Sequence, residues 1–272
     1  MQSYREVDWD TFWRWEILHR EQDPVDFRRW KSDSSRELRQ LPQGRDRDGR
    51  PPLILDSSCG LGFHAMAQHH LGFRVEGCDR NRLVLARARE AMQAEGMDIP
   101  TFEAAWESLG TTHPARYDLI FNDEVHQVRP KDELLAVCRS FRTALKPGGS
   151  FVFFYADATK PHNGPGHAQW DWDHFHRRRT AWEVRRDDLE VTLEIRPERA
   201  EETLVLEHHS YRIRESGTPE RFESMTMARN YFWDWDHVVP LLKEAGFDQV
   251  ESYQFVNVYG NLYSMNLATR SS

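Results

Sequence analysis

Between residues 53 and 156, short apolar runs alternate with amphipathic stretches. Leu53, Ile54 and Leu55 form the first run, followed by a loop of small residues and a helix-like stretch to about His70. Phe73 to Cys78 reads as a second strand, and Thr101 to Ala104 as a third. Tyr117 to Phe121 reads as a fourth and Ser150 to Tyr155 as a fifth. Leu83 to Gln93 and Lys131 to Leu145 carry helical periodicity, the second stopped by Lys146-Pro147-Gly148-Gly149. Strands alternating with helices predict a parallel sheet covered on both faces. Short right-handed crossovers make it an α/β, doubly wound sheet, mainly parallel.

Outside this stretch the pattern changes. Phe12, Trp13, Trp15, Ile17 and Leu18 fit one face of a helix, and Phe27, Trp30 and Leu38 a second. After Asp157, residues 189–195 and 203–213 alternate apolar and polar, as antiparallel strands of an insertion do. Val238 to Ala245 is a helix stopped by Gly246, and residues 250–258 and 262–267 read as a closing hairpin. The expected organisation is an N-terminal helical cap over 1–50 and a core over 51–157. An insertion or substrate lid over 158–235 follows, and 236–272 complete a seven-stranded core sheet. Loops and insertions on a rigid scaffold carry selectivity, so the insertion is where acceptor choice is expected.

Composition narrows the function. The formal net charge of −8 disfavours nucleic acid as a partner, because phosphate neutralisation needs clustered Lys and Arg. The basic run at His176 to Arg179 sits among acids and reads as a solvated face. Three scattered cysteines, Cys59, Cys78 and Cys138, form neither a disulfide framework nor a metal pair, and read as reduced thiols. The first residues lack the apolar stretch of a secretory signal, and no apolar run is long enough for a membrane span. The expected setting is therefore cytoplasmic, with no membrane partner. A homo-oligomer is compatible with the chain but not specified by it. Ten tryptophans, several outside the core stretch, serve either as aromatic walls of a pocket or as additional core.

The strongest chemical signal is Asp56-Ser57-Ser58-Cys59-Gly60-Leu61-Gly62, a buried strand running into a loop of small residues and then a helix. Small residues let backbone approach a ligand closely. By itself a Gly-x-Gly after a strand also suits a dinucleotide. Asp79 ends the second strand 23 residues after Asp56, placed to bind ribose hydroxyls, a role common to both ligand classes. The loop discriminates. A pyrophosphate site needs a third glycine, whereas Gly62 is followed by Phe63-His64-Ala65. A sulfonium cofactor has no phosphates to cradle.

Taken in order, Asp56 to Gly62, Asp79, Tyr117-Asp118-Leu119-Ile120 and Leu145-Lys146-Pro147-Gly148-Gly149 resemble the successive motifs of class I S-adenosylmethionine-dependent methyltransferases. Within that class the chain is most similar to the glycine and sarcosine N-methyltransferase group. The resemblance rests on Ser58 before Cys59-Gly60, on Trp106 after the third strand, on Phe27 to Trp30, and on Asn230-Tyr231-Phe232. It implies a Rossmann-like methyltransferase fold with S-adenosylmethionine as cofactor. It also implies a cofactor site of Trp30, Asp56, Ser58, Cys59, Gly60, Gly62, Asp79, Arg80, Ala105, Trp106 and Asn122, with Trp106 against the adenine. One position departs from the group. Where the glycine-methylating enzymes carry a carboxylate-gripping Arg, this chain has Ala156. Free glycine is therefore not the expected acceptor.

Methyl transfer from a sulfonium is an in-line displacement, so the protein must mainly bring the nucleophile to about 3 Å and align it. The fourth strand runs into Asn122-Asp123-Glu124-Val125-His126, at the crevice where such sheets bind ligands. Glu124 and His126 are the catalytic candidates. The bland alternative is that Asp123 or Glu124 caps a helix and His126 packs. Tyr155, Asp157 and Tyr231 are the candidates for substrate contact. The His- and Trp-rich run over 162–176 offers imidazoles and carboxylates without zinc-site spacing, so it reads as a lid and no metal is expected. The expected reaction is methyl transfer to the nitrogen of a small amine-bearing metabolite. The alternatives are an O- or S-methyltransferase of a secondary metabolite, and a non-catalytic regulatory protein that keeps the cofactor fold.

Overall fold

A computed structural model describes residues 7–22, 49–125, 128, 131–155, 179–200, 205–229, 235–256 and 262–271. Strands β1 (Leu53–Asp56), β2 (Arg74–Asp79), β3 (Thr101–Glu103), β4 (Tyr117–Asn122) and β5 (Leu145–Tyr155) run parallel. Strands β10 (Gln249–Val256) and β11 (Leu262–Thr269) close the sheet as an antiparallel hairpin, with β11 beside β5. The order is β10-β11-β5-β4-β1-β2-β3, so the chain reverses its winding between β1 and β4. That reversal opens a crevice at the carboxyl ends of both strands.

The alternation along each central strand feeds two cores. Leu55, Ile120, Phe151 and Phe153 face α5 (Lys131–Ala144) and α6 (Trp235–Glu244). Ile54, Leu119, Phe121 and Val152 face α2 (Phe63–His70) and α3 (Arg82–Ala94). A short 3-10 turn, Trp106–Ser108, leads into α4 (Leu109–Thr112) against α5. At the opposite end from the crevice, Asp118 accepts the Leu53 backbone N–H at 2.8 Å and pairs with Lys146 Nζ at 2.8 Å. One carboxylate thus ties the starts of β1, β4 and β5.

The fifth strand begins five residues before the predicted start. Leu145 already pairs with Tyr117, the register shifts, and Ser150 pairs with Leu119. The Lys146 to Gly149 run is a bulge inside the strand, because the Gly148 N–H still donates to Arg270 O at 2.8 Å.

The insertion forms its own antiparallel sheet of four strands in sequence order. These are β6 (Arg179–Arg186), β7 (Leu189–Arg199), β8 (Val205–Glu215) and β9 (Arg221–Arg229), two more than the sequence pattern predicted. In β6 and β9 the apolar positions that join the core are few, Trp182 with Val184 and Met225 with Met227, and charged residues stand among them. One face of this sheet packs Val191, Leu193, Tyr211, Ile213, Met225 and Met227 against Trp15 of α1 (Trp9–Gln22). Asp8 caps α1 by accepting from the Thr11 backbone N–H at 3.0 Å and the Thr11 hydroxyl at 2.8 Å. The helix also reaches the core, where Asn81 Nδ2 donates to Asp10 Oδ1 at 2.6 Å. The second N-terminal helix predicted around Phe27 to Leu38 lies outside the described residues. No described helix is long and apolar enough to cross a membrane.

Candidate active site

A cavity of about 390 Å³ opens where the crevice meets α1 and the insertion sheet. Its floor is the loop after β1. Ser57 is fixed from three sides: its N–H and hydroxyl each donate to Phe121 O at 2.9 Å, and its hydroxyl accepts from Asn122 Nδ2 at 2.9 Å. The indole N–H of Trp106 donates to Ser57 O at 2.6 Å, and Cys59 N–H donates to Cys78 O at 3.0 Å. At Gly62 the backbone takes φ 85°, a left-handed conformation that lets α2 start directly under the loop.

Asp79 accepts the Gly60 N–H at 3.2 Å and the Asn81 N–H at 2.9 Å, which joins the end of β2 to the loop. Burial nonetheless outweighs these hydrogen bonds and pushes its pKa up to about 6. Asp56 lies beneath the loop, wholly buried, with neither carboxyl oxygen hydrogen-bonded. Burial first, then the charge of Asp123, holds its pKa well above the usual carboxylate range. Beside the floor, Asp123 accepts the Ser58 hydroxyl at 2.8 Å and stands 3.4 Å from His64 Nδ1. Burial of that imidazole lowers its pKa despite the carboxylate.

The roof and far wall come from outside the core. A side chain on Gly60 would meet the Trp13 ring at 3.2 Å, so α1 lies directly over the loop. Trp9, Phe12 and Trp13 of α1 and Trp182, Leu193 and Ile195 of the insertion sheet line the cavity together. Glu207 and His209, adjacent same-face positions on β8, complete that wall.

The structure brings Ser58, Cys59, Gly60, Asp79, Arg80, Ala105, Trp106 and Glu124 to the cavity lining. Asp56, Gly62 and Asn122 stand one layer below, supporting the loop from the strand ends. Tyr155 ends β5 opposite Ser264. Trp30, His126, Ala156, Asp157, Tyr231 and the run over 162–176 lie outside the described residues. The aromatic residues of α1, and Trp182, Glu207 and His209, were not among the sequence candidates. The α1 residues announced themselves only as an apolar helix face, and the Glu207-x-His209 alternation only as the polar positions of a strand.

The residues present fit S-adenosylmethionine better than a dinucleotide. Among the described lining residues five carboxyl groups, Glu16, Asp79, Asp123, Glu124 and Glu207, outnumber two arginines, Arg20 and Arg80. Arg20 is moreover engaged by Glu16 at 2.7 Å. Such a lining repels a pyrophosphate and attracts a sulfonium and an ammonium. Among the described residues no group of three or more metal-ligating side chains gathers.

Comparison with known proteins agrees with this geometry. Residues 54–149 match the model of a family described as a methyltransferase domain. Over 101 residues the chain is 32% identical to a ubiquinone biosynthesis O-methyltransferase of Paraburkholderia phytofirmans, covering 37% of this chain and 42% of that protein. Over 102 residues it is 31% identical to a glycine/sarcosine N-methyltransferase of Halorhodospira halochloris, covering 36% and 38%. The matched segments thus span less than half of these relatives. The fold extends further. A sugar N-methyltransferase structure from a Streptoalloteichus species superposes with TM-score 0.63 at 17% identity, over 95% of this chain and 93% of that one. A methyltransferase structure from Clostridium acetobutylicum does so with TM-score 0.62 at 14% identity, over 94% and 98%. The sheet order and the family match converge on one segment: residues 54–149 match a methyltransferase domain, set in a sheet with the fold of the methyltransferase structures it superposes on.

Proposed function

We propose that the whole chain is an enzyme that methylates the nitrogen of a small, amine-bearing metabolite. The observation that carries this reading is the acid-rich, aromatic-walled cavity shared by the cofactor loop, α1 and the insertion sheet. Asp79 would hold the ribose, Ser58 to Gly60 would lie under the methionyl part, and Trp106 would border the adenine. When bound, S-adenosylmethionine supplies an electrophilic methyl group on a good leaving group. The chain's own task is then to exclude water, neutralise the acceptor nitrogen and align it. Trp13 over Gly60 serves the first purpose. Glu124 follows the end of β4 by two residues, and its backbone N–H donates to Asn122 Oδ1 at 2.9 Å, which fixes the turn that carries it. Glu124 and His126 remain the proposed acid–base pair, and Tyr155, Asp157 and Tyr231 the proposed acceptor contacts. The insertion acts as the acceptor lid over the core.

A neutral nitrogen attacks without a strong base, whereas phenols, alcohols and thiols need deprotonation. The low positive charge of the lining favours the nitrogen. The curated relatives named for O- and N-methylation both match only part of the chain, so they leave the acceptor to the cavity. Ala156, in place of the carboxylate-gripping Arg, argues against glycine. Amino sugars, the acceptor class named for fold neighbours, are the first larger amines to try. The test is a mass-spectrometric acceptor screen with labelled cofactor, including glycine, sarcosine, amino sugars, aromatic amines, phenols and thiols. Turnover of a bulkier amine with little turnover of glycine is the expected result. Efficient turnover of glycine alone, or of phenols and thiols alone, would overturn the reading.

A further inference from the structure

The parallel register that sets Asp56 beside Phe121 carries β4 past the start of the cofactor loop, so the residues after the strand run alongside Ser57 and Ser58. Asp123 is the first residue beyond β4. Phe121 faces α2, and by the alternation of the strand Asp123 turns to the same side. His64, near the start of α2, meets both. Its ring centroid is 4.7 Å from that of Phe121, and its Nδ1 is 3.4 Å from Asp123 Oδ2. The other oxygen, Oδ1, accepts the Ser58 hydroxyl at 2.8 Å. The carboxylate is thus clasped between the cofactor loop and α2. Its side chain is still 21% exposed, and it lines the cavity. Burial holds the pKa of His64 down, so at neutral pH the imidazole stands behind Asp123 as a neutral wall and leaves the carboxylate its charge. A residue needed only to tie Ser58 in place would serve as well as Asn, whose carbonyl accepts the same hydroxyl without a charge beside the cavity.

We infer that Asp123 aligns the acceptor nitrogen by accepting its N–H, and that Ser58 is the positioning residue for Asp123. This deepens the amine reading above and rests on it. Ser58 belongs to the loop proposed to lie under the methionyl part, so its hydrogen bond to Asp123 fixes the acceptor's carboxylate relative to the cofactor. An N–H held by a carboxylate also fixes the direction of the nitrogen lone pair, which is what an in-line attack requires. The acceptor enters as an ammonium and loses one proton to the base pair proposed above. The N–C bond then forms as the C–S bond breaks, with the bonding pair leaving on sulfur. The product departs as the N-methylammonium, and the base returns its proton to solvent. Positive charge moves from sulfur to nitrogen in this step, so a carboxylate fixed at the nitrogen attracts it more strongly as the reaction proceeds, and such an interaction lowers the barrier. Asp123 can hold the neutral nitrogen only if an N–H remains on it. The acceptor class that follows is a primary or secondary amine, and methylation stops at the tertiary amine.

The test uses the full chain loaded with S-adenosylhomocysteine, and calorimetry with two probes of similar shape, cyclohexylammonium and cyclohexanol. The wild type is expected to bind the amine at least tenfold more tightly than the alcohol. Asp123→Asn should cut that preference to less than twofold while shifting S-adenosylhomocysteine affinity less than threefold. Ser58→Ala should reduce the preference at least threefold and Ser58→Thr should restore it. A loop that had merely loosened would weaken both probes alike and leave the preference where it was. An Asp123→Asn protein that keeps the preference overturns the inference and leaves the amine reading standing. A tenfold loss of S-adenosylhomocysteine affinity in that same protein would assign the carboxylate to the cofactor's own ammonium. If Asp123→Asn does not fold, the Ser58 pair decides, and an unchanged preference in Ser58→Ala refutes the inference. A quaternary product in the acceptor screen refutes it as well. A wild type that binds S-adenosylhomocysteine but does not prefer the amine overturns the amine reading and this inference together. If S-adenosylhomocysteine does not bind, the methyltransferase reading falls with both.

Discussion

Asp79 joins the cofactor loop to β2, and its titration should be readable in two independent measurements. Burial lifts its pKa to about 6 from the ordinary 3.8. The folded chain therefore holds a proton that the unfolded chain releases between those values. The group's contribution to stability is greatest at low pH and is lost as pH rises through that window. With 1.36 kcal/mol for each tenfold step, the full swing is about 3 kcal/mol. Ribose hydroxyls donate to the ionised form, so cofactor affinity should run the opposite way. From about pH 7.5 to about pH 5 the ionised fraction falls roughly tenfold, and affinity for S-adenosylhomocysteine should fall with it. Asp79→Ala removes a charged acceptor and should weaken binding by about 1.5–3 kcal/mol at neutral pH, the usual worth of such hydrogen bonds. Asp79→Asn keeps the shape and should flatten both pH profiles. Asp56 is also raised, by burial first and in part by the charge of Asp79, so the difference between wild type and variant reports Asp79 together with its effect on Asp56. Calorimetry gives the affinities, and denaturant melts of the free protein give the stabilities. An Asp79→Asn protein with wild-type affinity and wild-type pH slopes would refute both the ribose role and the origin of the raised pKa.

Two further predictions concern the scaffold of the site. Trp106→Phe keeps a ring at the wall but loses the 2.6 Å bond to Ser57 O, so stability should drop by about 0.5–1.5 kcal/mol in a denaturant melt. An unchanged midpoint would show that this bond does not secure the loop. At Gly110 an added Cβ would sit 2.8 Å from Ser140 O and 3.0 Å from Thr143 Cβ, both on α5, which has little room to shift. Gly110→Ala should therefore destabilise by about 1–3 kcal/mol, and a melt matching wild type would mean that α4 moves aside freely.

The sequence by itself determined the core and its cofactor loop. Leu53 to Asp56 is buried at every position, so it reads as a continuous apolar run that no surface element would show. The small residues from Ser57 to Gly62 and the acid at Asp79 are local demands of backbone geometry and hydrogen bonding, and such demands are written where they act. The helix faces of α3 and α5 were legible for the same reason, since an amphipathic period is a local record of burial. What only the tertiary structure decided is which remote segments complete the cavity. Nothing near Trp13 in the chain records that it will lie over Gly60, and nothing near Glu223 records that it will accept the Trp15 indole N–H at 2.8 Å. In β9 charged Arg221, Glu223 and Arg229 share the face of Met225 and Met227, and in β6 only Trp182 and Val184 turn to the core, so the alternation that marks a strand is faint. Glu207 and His209 were the least legible, because polar positions alternating along a strand ordinarily face water. Here α1 packs on that side of the sheet and turns it inward. Whether a strand's polar face is surface or site depends on what covers it, and that is a property of the folded chain, not of the strand.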